Sequence, residues 1–175
     1  WNEPLDPAYY LKNNRNYEAL LDRYERFVGG WDTAFANDDS FFVVMGVNRK
    51  TKQKEIIFEK DLKLISSNLI TQAKYARRII DFFGLEQLSI DIKGVGNSVK
   101  DYYSADDSIV DICNFFTYTN QNKVDNFLRL KDDINMGLVK RRYDGTKYDN
   151  NVLKQATNLF YKGGKIIGRG GKDDY

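Results

Sequence analysis

The sequence lacks histidine altogether and has one cysteine and two prolines among its 175 residues. Without histidine there is no Ser-His-Asp or Cys-His catalysis, no His-ligated zinc and no imidazole acid/base chemistry within the chain. The lone thiol, Cys113, excludes an intramolecular disulfide, and its place in Ile109-Val110-Asp111-Ile112-Cys113 predicts a buried, reduced side chain suited to a reducing cytoplasm. No apolar run approaches the roughly 20 residues of a membrane span, which predicts a protein without membrane contact. The opening Trp1-Asn2-Glu3-Pro4-Leu5-Asp6-Pro7 has neither the basic start nor the apolar stretch of a secretory signal. An excess of one charge is missing too: 27 Lys and Arg against 25 Asp and Glu give +2, so composition alone does not announce a nucleic-acid partner.

What is present is charge in separate clusters. Basic residues gather in Arg49-Lys50-Thr51-Lys52-Gln53-Lys54, in Lys140-Arg141-Arg142 and around Lys165, Arg169 and Lys172, whereas aspartates gather elsewhere. Such separation allows a phosphate-binding surface beside a metal-binding one. The length fits one domain, and no internal repeat is visible. The polar, tyrosine-rich residues 1–25 are expected to form a lead-in with a short helix around Tyr17 to Tyr24, and residues 26–175 a single domain.

Apolar periodicity and turn residues then give the element order. Arg26 to Ala34, Ser40 to Asn48 and Glu55 to Glu59 read as consecutive antiparallel strands, with a hairpin turn over Arg49 to Gln53. Leu69, Ala73, Ala76, Ile80 and Phe83 fall at helical steps, and Gly84 stands where a C-terminal cap belongs. Gln87 to Ile92 is a strand, Gly94 to Tyr103 a turn and short helix, and Ile109 to Thr117 another strand. Helices are expected over Asn122 to Met136 and around Val152, Leu153, Ala156, Leu159 and Phe160. A crossover through the Leu69 helix makes the next strand parallel to a neighbour. The expectation is an α/β fold of RNase H-like class: a mixed central sheet, three antiparallel strands followed by parallel ones, flanked by helices. In that topology the first and fourth strands are adjacent, with Asp32 at the end of one and Asp91 at the end of the other.

Phosphodiester hydrolysis with two metal ions needs carboxylates converging on one point, because magnesium and manganese prefer oxygen ligands. Asp32 and Asp91 are the first candidates. Asp173 and Asp174, after the glycine-rich Gly163 to Gly171, supply a third, and Asp38 is a candidate for a peripheral contact. Gly30-Trp31-Asp32-Thr33-Ala34 with Asp38-Asp39-Ser40, then Ser89-Ile90-Asp91-Ile92-Lys93-Gly94-Val95-Gly96, then Lys172-Asp173-Asp174 resemble, in that order, the three nuclease motifs of tailed-phage terminase large subunits. Asn122 to Leu128 and Ile134 to Val139 are similar to the helix and return strand between them. The resemblance runs from about Phe27 to the end; it departs at Asp91, where the family often has glutamate.

The resemblance implies a C-terminal nuclease domain that cuts concatemeric double-stranded DNA during viral genome packaging in the host cytoplasm, using two Mg2+ or Mn2+ ions and working with a portal protein and a small terminase subunit. It also implies an N-terminal ATPase, but no Gly-x-x-x-x-Gly-Lys-Ser/Thr loop occurs here, so the chain is expected to be the nuclease part alone. Lys165, Arg169 and Lys172 are the expected phosphate-neutralising residues near the cut, with Arg49, Lys50, Lys52, Lys140, Arg141 and Arg142 as further DNA contacts. Three other readings stay open. Asp91-Ile92-Lys93 matches the short Asp-x-Lys pattern of a different nuclease class with a different sheet order; RNase H-like resolvases and transposases share the acidic logic; and a non-catalytic DNA-binding or assembly module would keep the basic clusters alone.

Overall fold

The computed structural model describes residues 17–34, 39–141, 159–162 and 165–168. The chain divides into two compact units, Trp1–Thr117 and Tyr118–Tyr175. In the first, helix α1 (Tyr17–Arg23) runs directly into β1 (Tyr24–Asp32), followed by β2 (Phe41–Asn48) and β3 (Lys54–Asp61). These three strands pair antiparallel in sequence order. The β2–β3 turn is closed locally: Asn48 Oδ1 accepts from the backbone N–H groups of Lys50 and Thr51, an Asx-type turn that needs no tertiary support.

Helix α2 (Leu69–Phe83) starts where Asn68 Oδ1 accepts from the Thr71 N–H and stops at Gly84, whose φ of 62° is left-handed. Its buried face, Leu69, Ala73, Ala76, Ile79, Ile80 and Phe83, lies on a sheet face carrying Phe27, Trp31, Phe42, Val44, Leu88 and Ile90 in one core cluster. Burying each large side chain contributes about 1.5–3 kcal/mol. This packing fixes the direction of the crossover that delivers β4 (Gln87–Asp91) parallel to β1. A 3-10 turn (Gly94–Gly96), α3 (Asn97–Ser104) and α4 (Asp107–Val110) then lead to β5 (Cys113–Phe116), parallel to β4. The strand order is β5-β4-β1-β2-β3, so β1 and β4 are central neighbours, as the sequence predicts.

Two expectations are corrected. Ile109 and Val110 do not belong to a strand. Asp106 Oδ1 accepts from the Ser108 N–H and starts the helical turn α4, so an apolar, β-branched pair is held helical by its cap, and the strand begins only at Cys113. In the second unit, α5 (Asn120–Asn135) opens with a capping box between Thr119 and Asn122 and is followed by β6 (Val139–Arg141). Leu159 and Phe160, expected in a helix, lie instead in β7 (Leu159–Lys162), which forms an antiparallel hairpin with β8 (Lys165–Gly168). Two residues separate the paired Lys162 and Lys165, and the sequence there is Gly163-Gly164, a hairpin signal stronger than the helical spacing before it.

Candidate active site

The site is built by strand register. Asp32 and Asp91 are the last residues of β1 and β4 and are direct partners in the parallel ladder; the pair before them is Trp31 and Ile90. Trp31 and Ile90 are 2% and 0% exposed, in the core beneath α2. Side chains alternate across a strand, so both carboxylates lie on the opposite face, on neighbouring strands about 4.8 Å apart. The same row carries Phe41 next to Asp32 on β2 and Phe116 next to Asp91 on β5. Both rings are half-buried, which lowers the local dielectric and strengthens the attraction of the acids for a cation. Behind this row lie Val43, Gly30, Ser89 and Asn114, mostly small or polar.

The partners differ in exposure. Asp32 is exposed, whereas Asp91 is 8% exposed and its Oδ1 accepts the Lys93 N–H at 2.9 Å. An oxygen-only donor pair of this kind suits magnesium or manganese better than softer ions. Among the described residues no group of three or more His, Cys, Asp or Glu side chains converges. Asp173, Asp174 and Asp38 all lie outside the described residues, as do Arg142, Arg169 and Lys172.

The basic residues divide by place. Arg49, Lys50 and Lys52 follow Asn48, the register partner of Tyr24 at the start of β1, whereas Asp32 ends that strand. At about 3.3 Å per residue the hairpin is therefore some 25 Å along the sheet from the acids. Arg49 donates to the carbonyls of Asp22 and Tyr24, and Lys52 pairs with Glu25. Lys140 is exposed in β6, Arg141 ends that strand, and Lys165 opens β8.

Sequence reasoning missed the residues that hold the ends of β1 and β4. Thr33 is buried, and its Oγ1 donates to the backbone oxygen of Asp91 at 2.5 Å. Trp31 Nε1 donates to Ser40 Oγ, Ser40 Oγ donates to Gln72 Oε1, and Gln72 Nε2 donates to the Ser66 carbonyl. This buried chain ties the strand end before Asp32 to α2. A glutamine within the apolar stripe of α2 was the available signal, since a buried amide needs partners.

Neither a protein-family model nor a curated protein sequence matches the chain. Among solved structures, the nuclease domain of the large terminase subunit of bacterial virus Sf6, with manganese and beta-thujaplicinol, is similar at TM-score 0.62 and 12% identity, over 95% of this chain and 87% of that one. The large terminase nuclease domain of bacteriophage SPP1, with bound Mn, is similar at TM-score 0.57 and 14% identity, over 87% of this chain and 82% of that one. At such low identity the likeness speaks for architecture. The chain has the RNase H-like fold of terminase large-subunit nuclease domains, with Asp32 and Asp91 paired at the ends of its central parallel strands.

Proposed function

We propose that this chain is a divalent-metal-dependent endonuclease for double-stranded DNA, with residues 26–175 as the nuclease domain of a terminase large subunit that cuts viral DNA for packaging in the host cytoplasm. The in-register pairing of Asp32 and Asp91 carries this reading, in a fold shared with nuclease domains solved with manganese. Asp32, Asp91, Asp173 and Asp174 are the proposed ligands, with Asp38 at the periphery; their oxygen donors suit Mg2+ or Mn2+, and two ions are proposed. When bound, the metal activates water and offsets charge on the phosphate. The chain's own residues do the rest. The two central strands fix the separation of the Asp32 and Asp91 carboxylates, and Lys165, Arg169 and Lys172, with Lys140, Arg141 and Arg142, are the proposed residues that neutralise backbone phosphates. A portal protein and a small terminase subunit are the proposed partners.

The test is plasmid conversion in magnesium, manganese, calcium and chelator. Nicked and linear products should appear with manganese or magnesium and vanish in chelator. Undiminished cleavage in chelator would overturn the proposal.

A further inference from the structure

The backbones that carry the two acids are joined by a bond outside the strand ladder. Thr33 follows Asp32 directly, is 7% exposed, and donates its hydroxyl to the Asp91 carbonyl oxygen at 2.5 Å. The chain after β4 closes over this bond at Gly96, where a Cβ would lie 2.6 Å from Thr33 Oγ1, 3.0 Å from the Asp91 oxygen and 3.2 Å from Ile92 Cβ. The side chain of Asp91 is fixed separately, by the Lys93 N–H on its Oδ1. The Thr33 hydroxyl thus adds to the strand ladder in holding the main chain of Asp91, the Lys93 N–H holds its carboxylate, and Thr33 is covalently continuous with Asp32. Thr33 is the neighbour of Asp32 whose side chain reaches the main chain of Asp91 across the two strands.

We propose that Thr33, backed by Gly96, is a positioning residue that sets the separation of the Asp32 and Asp91 carboxylates and so their joint affinity for a divalent cation. This rests on the nuclease reading of the same site. Loss of such a supporting hydrogen bond typically lowers metal affinity or activity about 10–100-fold. A bond that mattered only for folding would change the melting temperature and leave metal affinity alone.

The whole chain is compared with Thr33→Val, Thr33→Ser and Gly96→Ala. Manganese binding is followed by the electron paramagnetic resonance of the unbound ion, plasmid cleavage is measured across manganese concentration, and melting is recorded in chelator. Thr33→Val should weaken manganese binding about tenfold and raise the manganese needed for half-maximal cleavage in proportion, with KM for DNA unchanged. Thr33→Ser, which keeps the hydroxyl, should restore both. Gly96→Ala, which keeps Thr33 and displaces the bond from the other side, should match Thr33→Val, and it carries the test if the valine variant does not fold. Wild-type manganese affinity in a folded Thr33→Val or Gly96→Ala protein, or losses explained by the unfolded fraction, overturns the inference while leaving the nuclease proposal intact. A wild-type chain that neither binds manganese nor cleaves overturns both.

Discussion

Asp91 is the costlier of the two acids to keep. A nearly buried carboxylate whose register partner is another carboxylate is disfavoured by desolvation and by like charge, and a divalent cation relieves both. Asp32→Asn and Asp91→Asn should therefore each abolish metal-dependent cleavage while leaving metal-free melting unchanged or raised. Manganese should raise the melting temperature of the wild type and not of either variant, since an ion that binds the folded state stabilises it by mass action. A large loss of stability in chelator would make these residues structural instead. Ser40 provides the contrast. Its hydroxyl bridges Trp31 Nε1 and Gln72 Oε1 in the interior, so Ser40→Ala leaves a buried donor and a buried acceptor without their partner. The expected loss is about 1–3 kcal/mol in urea unfolding, and it should be the same with and without metal.

Among the elements, α2 was the most legible, because its apolar steps and the glycine after it agree, and the structure places both as expected. The left-handed cap at Gly84 makes the prediction definite: Gly84→Ala should cost about 1–2 kcal/mol, the penalty of a Cβ in that region, measured by chemical denaturation. The misread elements are those in which a local cap or turn outweighs an apolar pattern. Ile109 and Val110 carry β-branched side chains but follow the Asp106 cap; Leu159 and Phe160 sit at helical spacing but precede a Gly-Gly pair. At the site, Asp32 and Asp91 were legible because strand ends and topology place them. Thr33 and Ser40 were not, since their partners are distant in sequence and no periodicity marks a hydrogen bond, and Gln72 showed only as a polar residue within an apolar stripe. The start of β1 holds a further polar cluster at Glu55. Burial alone would raise its carboxyl pKa, but hydrogen bonds from Tyr24, Arg23 and Asn48 outweigh it and hold the group below its ordinary 4.5. A lowered folded pKa means stability that is full above the ordinary value and is lost as pH falls through the folded one. Glu55→Gln should accordingly flatten the dependence of melting temperature on pH below about pH 5; an unchanged acid limb would show that Glu55 contributes nothing to it.

At the scale of the whole molecule, charge is nearly balanced, 27 positive against 25 negative, so the affinity for DNA that the proposed function requires has to come from local clusters. The clusters are not equivalent. At the β2–β3 hairpin, Arg49 and Lys52 already serve carbonyls and a carboxylate of the same unit, and the hairpin lies at the end of the sheet away from Asp32 and Asp91. A phosphate there would have to compete with those groups. Binding is expected to be indifferent to sequence and steeply dependent on salt, because each neutralised duplex phosphate releases counterions and adds about 0.9 to the slope of log affinity against log salt. Replacing Lys165, Arg169 and Lys172 with alanine should lower affinity equally for unrelated duplexes and make the slope shallower by about 0.9 for each phosphate left without its cation. Replacing Arg49 and Lys52 should leave the slope near its wild-type value. Fluorescence anisotropy over a salt series on two duplexes of unrelated sequence decides between the clusters. A strong preference for one duplex, a flat salt response, or a larger slope change from the hairpin pair than from the C-terminal lysines and arginine would place the DNA path elsewhere and return junction-specific binding or protein docking to the front.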